Sequence, residues 1–331
     1  MKSLASRRAL GVLALVLSAL SGTTFAQNRI ESATQQLERT DLRARLQTPA
    51  TQEITSLYED EDKDVGPQTL ITQKPRHPWF EASGDVQFGS TSNVYLTENG
   101  KTESSLMVST LQLAVTPPAW EVPGGELSTR LGYRHQKFNY GIATRGTEST
   151  INDSDFDISS FFIQGRYVYH DKWVATAGLD HNRLMNASGG SYDEFYDEFA
   201  PNVGLQRSFE LTEKSSLTAN IGVVGHISHV DAPSTDHYDR VDESATLTYA
   251  REILPNLVFQ PYYRAQFTQY TRNHARKDIV QTVGVVFAYA LTKDVGLRVF
   301  ANYEARDSSD VSVEDYQKLD TGIGAALRLQ F

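Results

Sequence analysis

The chain has 331 residues, no cysteine, and a formal net charge of −10 at pH 7. The absence of cysteine excludes disulfides, thiol catalysis, iron–sulfur clusters and cysteine-bound zinc. The acidic balance argues against a nucleic-acid partner, because binding to a phosphate backbone requires a basic face.

The first predicted element is a targeting segment over residues 1–26. Basic residues (Lys2, Arg7, Arg8) precede the apolar run 9–20, and a small-residue cleavage site ends at Ala26. A transmembrane helix needs about 20 apolar residues, so this run is too short to span a bilayer. The layout predicts a secretory signal peptide.

Residues 27–78 form the second predicted region, a linker in the periplasm. Ile30, Ala33 and Leu37 have helical spacing, which predicts a brief amphipathic helix over 31–46. An acidic run at 59–62 and several prolines follow, and such a polar stretch cannot bury a core. The helix either docks a partner, lies in the mouth of the following domain, or is a tether without a specific role.

From residue 79 to 331 the apolar side chains recur at every second position. Lys318–Phe331 shows this most clearly, since apolar residues at odd positions alternate with polar or small ones. Twelve such segments are predicted: 79–89, 103–116, 126–140, 155–169, 173–185, 195–209, 216–230, 239–250, 257–270, 278–290, 295–306 and 318–331.

The connections between these segments alternate between short turns, such as 170–172, and longer polar loops, such as 141–154. This asymmetry is typical of outer-membrane barrels, and an even strand number leaves both chain ends on the periplasmic side. A soluble β-sandwich also alternates, but its inner face is richer in large aliphatic residues. We therefore predict an all-β fold, a transmembrane antiparallel up-and-down β-barrel of about twelve strands in the cell outer membrane.

The last strand carries apolar residues at alternate positions and ends on an aromatic residue: Leu327, Leu329 and Phe331. This resembles the assembly signal of the Gram-negative outer-membrane β-barrel superfamily. The resemblance implies recognition by the barrel-assembly machinery, and contact with outer-membrane lipids and lipopolysaccharide. The segment 92–97 in the first loop is also similar to uncharacterised barrels found with exopolysaccharide genes.

The strand alternation assigns twelve charged side chains to the lumen, because a charge facing lipid at mid-membrane costs about 2–4 kcal/mol for Arg or Lys. These candidates are Arg130, Arg134, Arg166, Arg264, Arg298, Arg328, Glu81, Asp85, Asp180, Asp242, Glu304 and Asp320. They predict a pore for small hydrophilic solutes, in which opposed charges set selectivity. The alternative is a structural barrel whose charges pair and fill the interior.

Other functions remain as alternatives. His226 and Ser228 have the His-x-Ser spacing of outer-membrane lipid hydrolases, although the predicted strand turns both toward the lumen. Acidic loops with aromatic residues suit polysaccharide export or surface adhesion, and Asp153, Asp155 and Asp157 only superficially resemble a calcium loop. We predict that the protein is not an enzyme and needs no metal or other cofactor.

Overall fold

A computed structural model of the chain describes residues 30, 31, 33, 34 and 36, and then 77–144, 154–170, 173–187, 192–229, 238–272 and 276–331. Most of this part is strand, and a 3-10 helix, Ile142–Thr144, follows the fourth strand. The strands are β1 Phe80–Thr91, β2 Ser104–Val115, β3 Trp120–Val122, β4 Gly125–Tyr140, β5 Phe156–Tyr169, β6 Trp173–Asn186, β7 Glu194–Thr212, β8 Ser215–His229, β9 Arg240–Leu254, β10 Leu257–Tyr270, β11 Lys277–Ala290, β12 Val295–Ser308 and β13 Tyr316–Gln330.

These strands form one closed antiparallel sheet. Each long strand pairs with its neighbours in sequence, β1 pairs with β13, and β2 pairs with β4. The short β3 pairs with the beginning of β4, beyond the point where β2 ends. Among the described residues the wall therefore has twelve long strands, as predicted, and the connection between β2 and β4 contains the additional short strand β3.

The first and last strands meet along a continuous register from Glu81↔Gln330 to Thr91↔Asp320. At its end the backbone N–H groups and carbonyls of Phe80 and Phe331 exchange two hydrogen bonds of 3.0 Å. Their rings stack with centroids 6.3 Å apart. Phe331 thus completes the closure, while its part in an assembly signal remains a prediction.

The outer face of the sheet is apolar and exposed. A closed sheet satisfies every strand hydrogen bond internally, and lipid is the solvent that tolerates such a belt. The chain is therefore a transmembrane β-barrel of the outer-membrane type. Large exposed side chains on this face include Leu111, Leu113, Leu131, Phe161, Ile163, Val203, Ile221, Leu247, Val283, Val299 and Ile323.

A second element lies inside this wall. Residues 30, 31, 33, 34 and 36 are helical, and the Thr34 hydroxyl donates to the Ile30 carbonyl, 3.0 Å away and one turn earlier. We call these five residues the N-terminal helix. No helix in the described part of the chain is long and apolar enough to cross a membrane.

The described residues of this helix are buried within the barrel, which agrees with one of the alternatives given for it, a place in the mouth of the following domain. Its spacing of apolar residues was visible in the sequence, but the partners that draw it into the lumen were not. The predicted signal peptide and the rest of the linker, 37–76, lie outside the described residues.

Candidate functional site

All twelve charged candidates are on the strand face opposite the exposed aliphatic side chains. Arg298 illustrates this, because it is buried while its neighbours Leu297 and Val299 are exposed to the outside. The inner face of the barrel is thus lined by charge, as the alternation requires. The structure adds a feature that the alternation does not contain, the N-terminal helix in the same lumen.

Glu31 of the N-terminal helix is held by two arginines from the barrel wall. Its Oε1 accepts a hydrogen bond from Arg276 Nη1 at 2.6 Å, and its Oε2 accepts one from Arg306 Nη1 at 2.5 Å. Tyr270 lies 3.4 Å from the same carboxylate, and Arg276 also pairs with Asp278. These partners stand where β10, β11 and β12 meet the long loops, so the helix is anchored at that end of the lumen.

Electrostatics keep the Glu31 carboxylate ionised. Burial alone raises the pKa of Glu31, but the guanidiniums of Arg306 and Arg276 outweigh it and lower the pKa from 4.5 to about 2. Burial and the nearby Glu31 carboxylate raise the pKa of Tyr238, in the loop before β9, to about 12. At neutral pH the site therefore holds a charged glutamate and a neutral phenol.

The apolar side of the helix packs against the opposite wall. Ile30 and Ala33 join a buried cluster that continues through Phe138 and Phe156, whose rings stack 4.5 Å apart. The other buried members of this cluster lie in the loop after β1, on β2, on the strands β4 to β7, and in the loop before β9. They are Val94, Val108, Tyr140, Ile158, Leu184, Tyr196 and Tyr238. The helix therefore contacts two sides of the lumen at this level.

The helix descends into the barrel from this end. Gln36, its last described residue, borders a small cavity beside Gln87, Val108, Phe300 and Asp320. These wall residues lie deeper along their strands than Arg276 and Arg306. From Glu31 to Gln36 the helix therefore runs away from the long-loop end and deeper into the lumen.

A second buried network surrounds His226 on β8. Its Nδ1 lies 2.8 Å from Glu198 Oε2, and its Nε2 lies 3.0 Å from Asp242 Oδ2. The Ser228 hydroxyl instead donates to Asp239 Oδ1 at 2.9 Å. Both imidazole nitrogens face carboxylates, so the His226–Ser228 pair that the sequence suggested for lipid hydrolysis does not form.

Several of the charged side chains that were predicted to line the lumen and set selectivity have close partners. Arg298 donates to Asp85 at 2.7 Å, and Asn202 donates to Asp180 at 2.8 Å. Glu304 accepts a hydrogen bond from the Tyr316 hydroxyl at 2.7 Å. The other candidates on the inner face include Arg134 and Arg264, which are partly exposed, Arg166, which is exposed, and Asp320, which lies 3.6 Å from Lys318 Nζ.

The short-turn end of the lumen has its own ionic cluster. Glu81 pairs with Arg130 and accepts a hydrogen bond from Arg328 Nη2 at 2.6 Å, while Gln330 lies within 3.4 Å. These side chains and His77 line a cavity of about 150 Å³. Unlike the helix-filled end, this mouth contains accessible space.

The acidic loop residues serve local structure where they are described. Asp155 accepts a hydrogen bond from the Tyr140 backbone N–H at 2.6 Å, and Asp153 lies outside the described residues. In the described ranges no group of three or more His, Asp or Glu side chains is arranged to hold a metal ion.

Comparison with known proteins adds similarity at low identity. No family model matches the sequence, and no curated protein matches it. An outer membrane channel from Pseudomonas putida F1 is 10% identical with a TM-score of 0.49, over 80% of this chain and 100% of that one. The β domain of the Bordetella autotransporter BrkA is 16% identical with a TM-score of 0.44, over 77% and 100%. The channel DcaP of Acinetobacter baumannii is 13% identical with a TM-score of 0.40, over 76% and 96%.

Proposed function

We propose that this barrel is an outer-membrane channel for small hydrophilic solutes that its own N-terminal helix closes. The single observation that carries the proposal is Glu31, buried and hydrogen-bonded to both Arg276 and Arg306 at the long-loop end. A charge buried away from water needs such partners, and removing one partner of a buried pair costs about 3–5 kcal/mol.

Two features make this helix suitable as a closure that can move. It is joined to β1 by the predicted Pro-punctuated tether rather than being part of the barrel wall. Its contacts are side-chain contacts with several strands, so its departure would leave the hydrogen-bonded wall intact. The charges beneath it, such as Arg298 and Asp85, would then line a hydrated path.

Single-channel recording in planar bilayers tests this proposal. We expect the mature chain, residues 27–331, to be mostly closed at neutral pH, and a variant lacking 27–46 to be open. Glu31→Gln keeps the shape of the side chain but loses two charge-assisted hydrogen bonds, each worth about 1.5–3 kcal/mol. It should therefore raise the open probability by at least about tenfold, since 1.4 kcal/mol is a factor of ten.

Glu59→Gln is the matched control, because it makes the same substitution in the tether's acidic run. It should record like the unmodified chain. If the variant lacking 27–46 folds but never conducts, the lumen is filled by its own wall side chains and the pore proposal fails. If the unmodified chain conducts as well as this variant, the barrel is a pore that the helix does not close.

A further inference from the structure

A serine, a histidine and an aspartate lie together on the outer face of the barrel, away from the lumen. His135 on β4 is directly opposite Ser159 on β5 in the register, and Asp157 is two residues from Ser159 on the same face. This face also carries Leu131, Phe161 and Ile163, all exposed. The three polar side chains therefore point away from the barrel axis, near the long-loop ends of their strands.

The distances connect the three side chains in one series. The Ser159 hydroxyl lies 3.2 Å from His135 Nδ1. The other ring nitrogen, Nε2, lies 3.5 Å from Asp157 Oδ2. This is the order nucleophile, base and orienting carboxylate that activates serine in hydrolases, where distances in the unliganded state are often longer than in the reacting complex.

Two tyrosine hydroxyls lie beside the serine and the aspartate of this series. The Tyr133 hydroxyl lies 3.1 Å from Ser159 Oγ, and its ring packs against Phe161 with centroids 4.9 Å apart. The Tyr192 hydroxyl donates to Asp157 Oδ2 at 3.2 Å. A phenol beside a serine nucleophile can donate to an oxyanion that develops on the substrate.

The charges on this face fix its depth in the bilayer. Lys137 is opposite Asp157 on β4, and Arg183 is opposite Ser159 on β6, and both are exposed on the outer face. Charged side chains facing lipid are costly at the midplane but cost about 0–1 kcal/mol near the interfaces. The group therefore lies away from the midplane, at the long-loop edge of the apolar belt, which begins at Phe161.

From this placement we propose that Ser159, His135 and Asp157 form an acyl-ester hydrolase site that faces the outer leaflet. Its substrate class is a membrane lipid ester with a neighbouring phosphate. The acyl chain would lie along Phe161 and Ile163, the carbonyl would reach Ser159, and the Lys137 ammonium would attract the phosphate. The site is independent of the lumen and of the channel proposal.

The reaction requires only the lipid ester and water. His135 Nδ1 removes the Ser159 proton while Oγ forms a bond to the carbonyl carbon, and Tyr133 donates to the oxyanion. The bond from carbon to the alcohol oxygen breaks, and that oxygen takes the proton from His135. Water then attacks the acyl-serine and gives a proton to His135, which returns it to Ser159 as the fatty acid leaves.

The roles divide between three catalytic residues, Ser159, His135 and Tyr133, and one positioning residue. Ser159 and His135 exchange bonds or protons with the substrate, whereas Asp157 acts through His135 by holding the Nε2–H tautomer. Because the single Ser159 proton is directed to His135, Tyr133 donates its own hydroxyl proton toward Oγ in the resting site.

The test uses the folded mature chain in detergent and in vesicles. A fluorophosphonate probe should label the unmodified protein at Ser159, and phosphatidylethanolamine vesicles or lipopolysaccharide micelles should release free fatty acid. Ser159→Ala should abolish labelling and lower release by about 1,000-fold or more. Asp157→Asn should lower kcat expressed per folded, probe-labelled molecule, which a smaller folded fraction would leave unchanged.

Ser228→Ala is the matched control, because Ser228 binds Asp239 inside the lumen and is not near His135. It should keep full labelling and release. Release from the phospholipid alone, or from the lipopolysaccharide alone, identifies which of the two lipids is the substrate.

A second variant covers a failure of Ser159→Ala to fold. The chain has no cysteine, so Ser159→Cys provides a single thiol that should react with iodoacetamide about tenfold faster than in Ser159→Cys with His135→Asn. Equal rates in these two proteins, or no probe labelling and no fatty-acid release by the folded unmodified chain, would overturn the proposal. The three residues would then be a hydrogen-bonded group at the membrane interface.

Discussion

The two ends of the lumen use the same arrangement, one glutamate between two arginines, in different surroundings. At the long-loop end, Glu31 lies between Arg276 and Arg306, and the exposed fractions of the arginine side chains are 0% and 2%. At the short-turn end, Glu81 lies between Arg130 and Arg328, whose side chains are 30% and 48% exposed. Both carboxylates are buried, but only in the first group are the arginines also removed from water.

This difference determines how strongly each group holds its partners. An unpaired charge left in a buried site has no water to solvate it, so breaking the pair is costly. Exposed pairs are screened and their arginines remain hydrated when the carboxylate is lost, so they contribute about 0–1 kcal/mol. We therefore expect the first cluster to act as the anchor of the helix and the second to be a minor contact across the β1–β13 seam.

Among substitutions in the two clusters, Glu31→Lys is expected to have the largest effect. The change brings a third positive charge next to two buried arginines, and we expect the helix to leave the lumen at a cost of about 5 kcal/mol. The measurement is maleimide labelling of a single cysteine introduced by Thr34→Cys, a buried position in a chain without other thiols. Labelling should be slow in the parent and fast after Glu31→Lys, and equal rates would show that Glu31 is not the anchor.

Acid should release the same anchor without a mutation. The pKa of Glu31 is about 2 in the docked helix and 4.5 in its ordinary state. Because the docked pKa is the lower one, the stabilisation is complete above pH 4.5 and is lost as the pH falls from 4.5 toward 2. The difference corresponds to about 3 kcal/mol.

Open probability in planar bilayers measures this acid effect. It should rise across the interval from pH 4.5 to 2 in the unmodified chain. Glu31→Gln should already be open and should not respond over that interval. A variant that keeps the same acid response would assign the effect to other carboxylates.

The smallest effect is expected from Glu81→Gln at the short-turn end. Its two arginines gain hydration when the carboxylate is lost, so the free energy of unfolding should fall by about 1 kcal/mol or less. Urea unfolding of the folded barrel in vesicles, followed by tryptophan fluorescence, gives this value. A loss comparable to that of Glu31→Lys would show that burial does not separate the two clusters.

The barrel wall was predictable because its signal is local. In β13 the alternation of Leu327 and Leu329 with Arg328 already fixes which side chains face lipid. The polar loops mark where each strand ends, and the predicted segment 257–270 has the same ends as β10. The short β3 was missed because three residues are too few to show a period.

The contacts that form the sites could not be predicted from such patterns. Glu31 is 245 residues from Arg276 and 275 residues from Arg306, and no local periodicity connects them. His226 and Ser228 are close in sequence, yet they bond to different partners. His226 bonds to Glu198 on β7, whereas Ser228 bonds to Asp239, just before β9. The His135–Ser159 pair depends on the register across a long loop.

The long separation between Glu31 and its arginines has a consequence for the order of events during biogenesis. Arg276 and Arg306, which hold Glu31, lie far along the sequence, just before β11 and on β12. The contact between the helix and both arginines can therefore form only after those residues have taken their places in the barrel, and the long intervening loop adds an entropic cost to it. In the proposed channel, the barrel would accordingly form first and its N-terminal helix would enter the lumen afterwards.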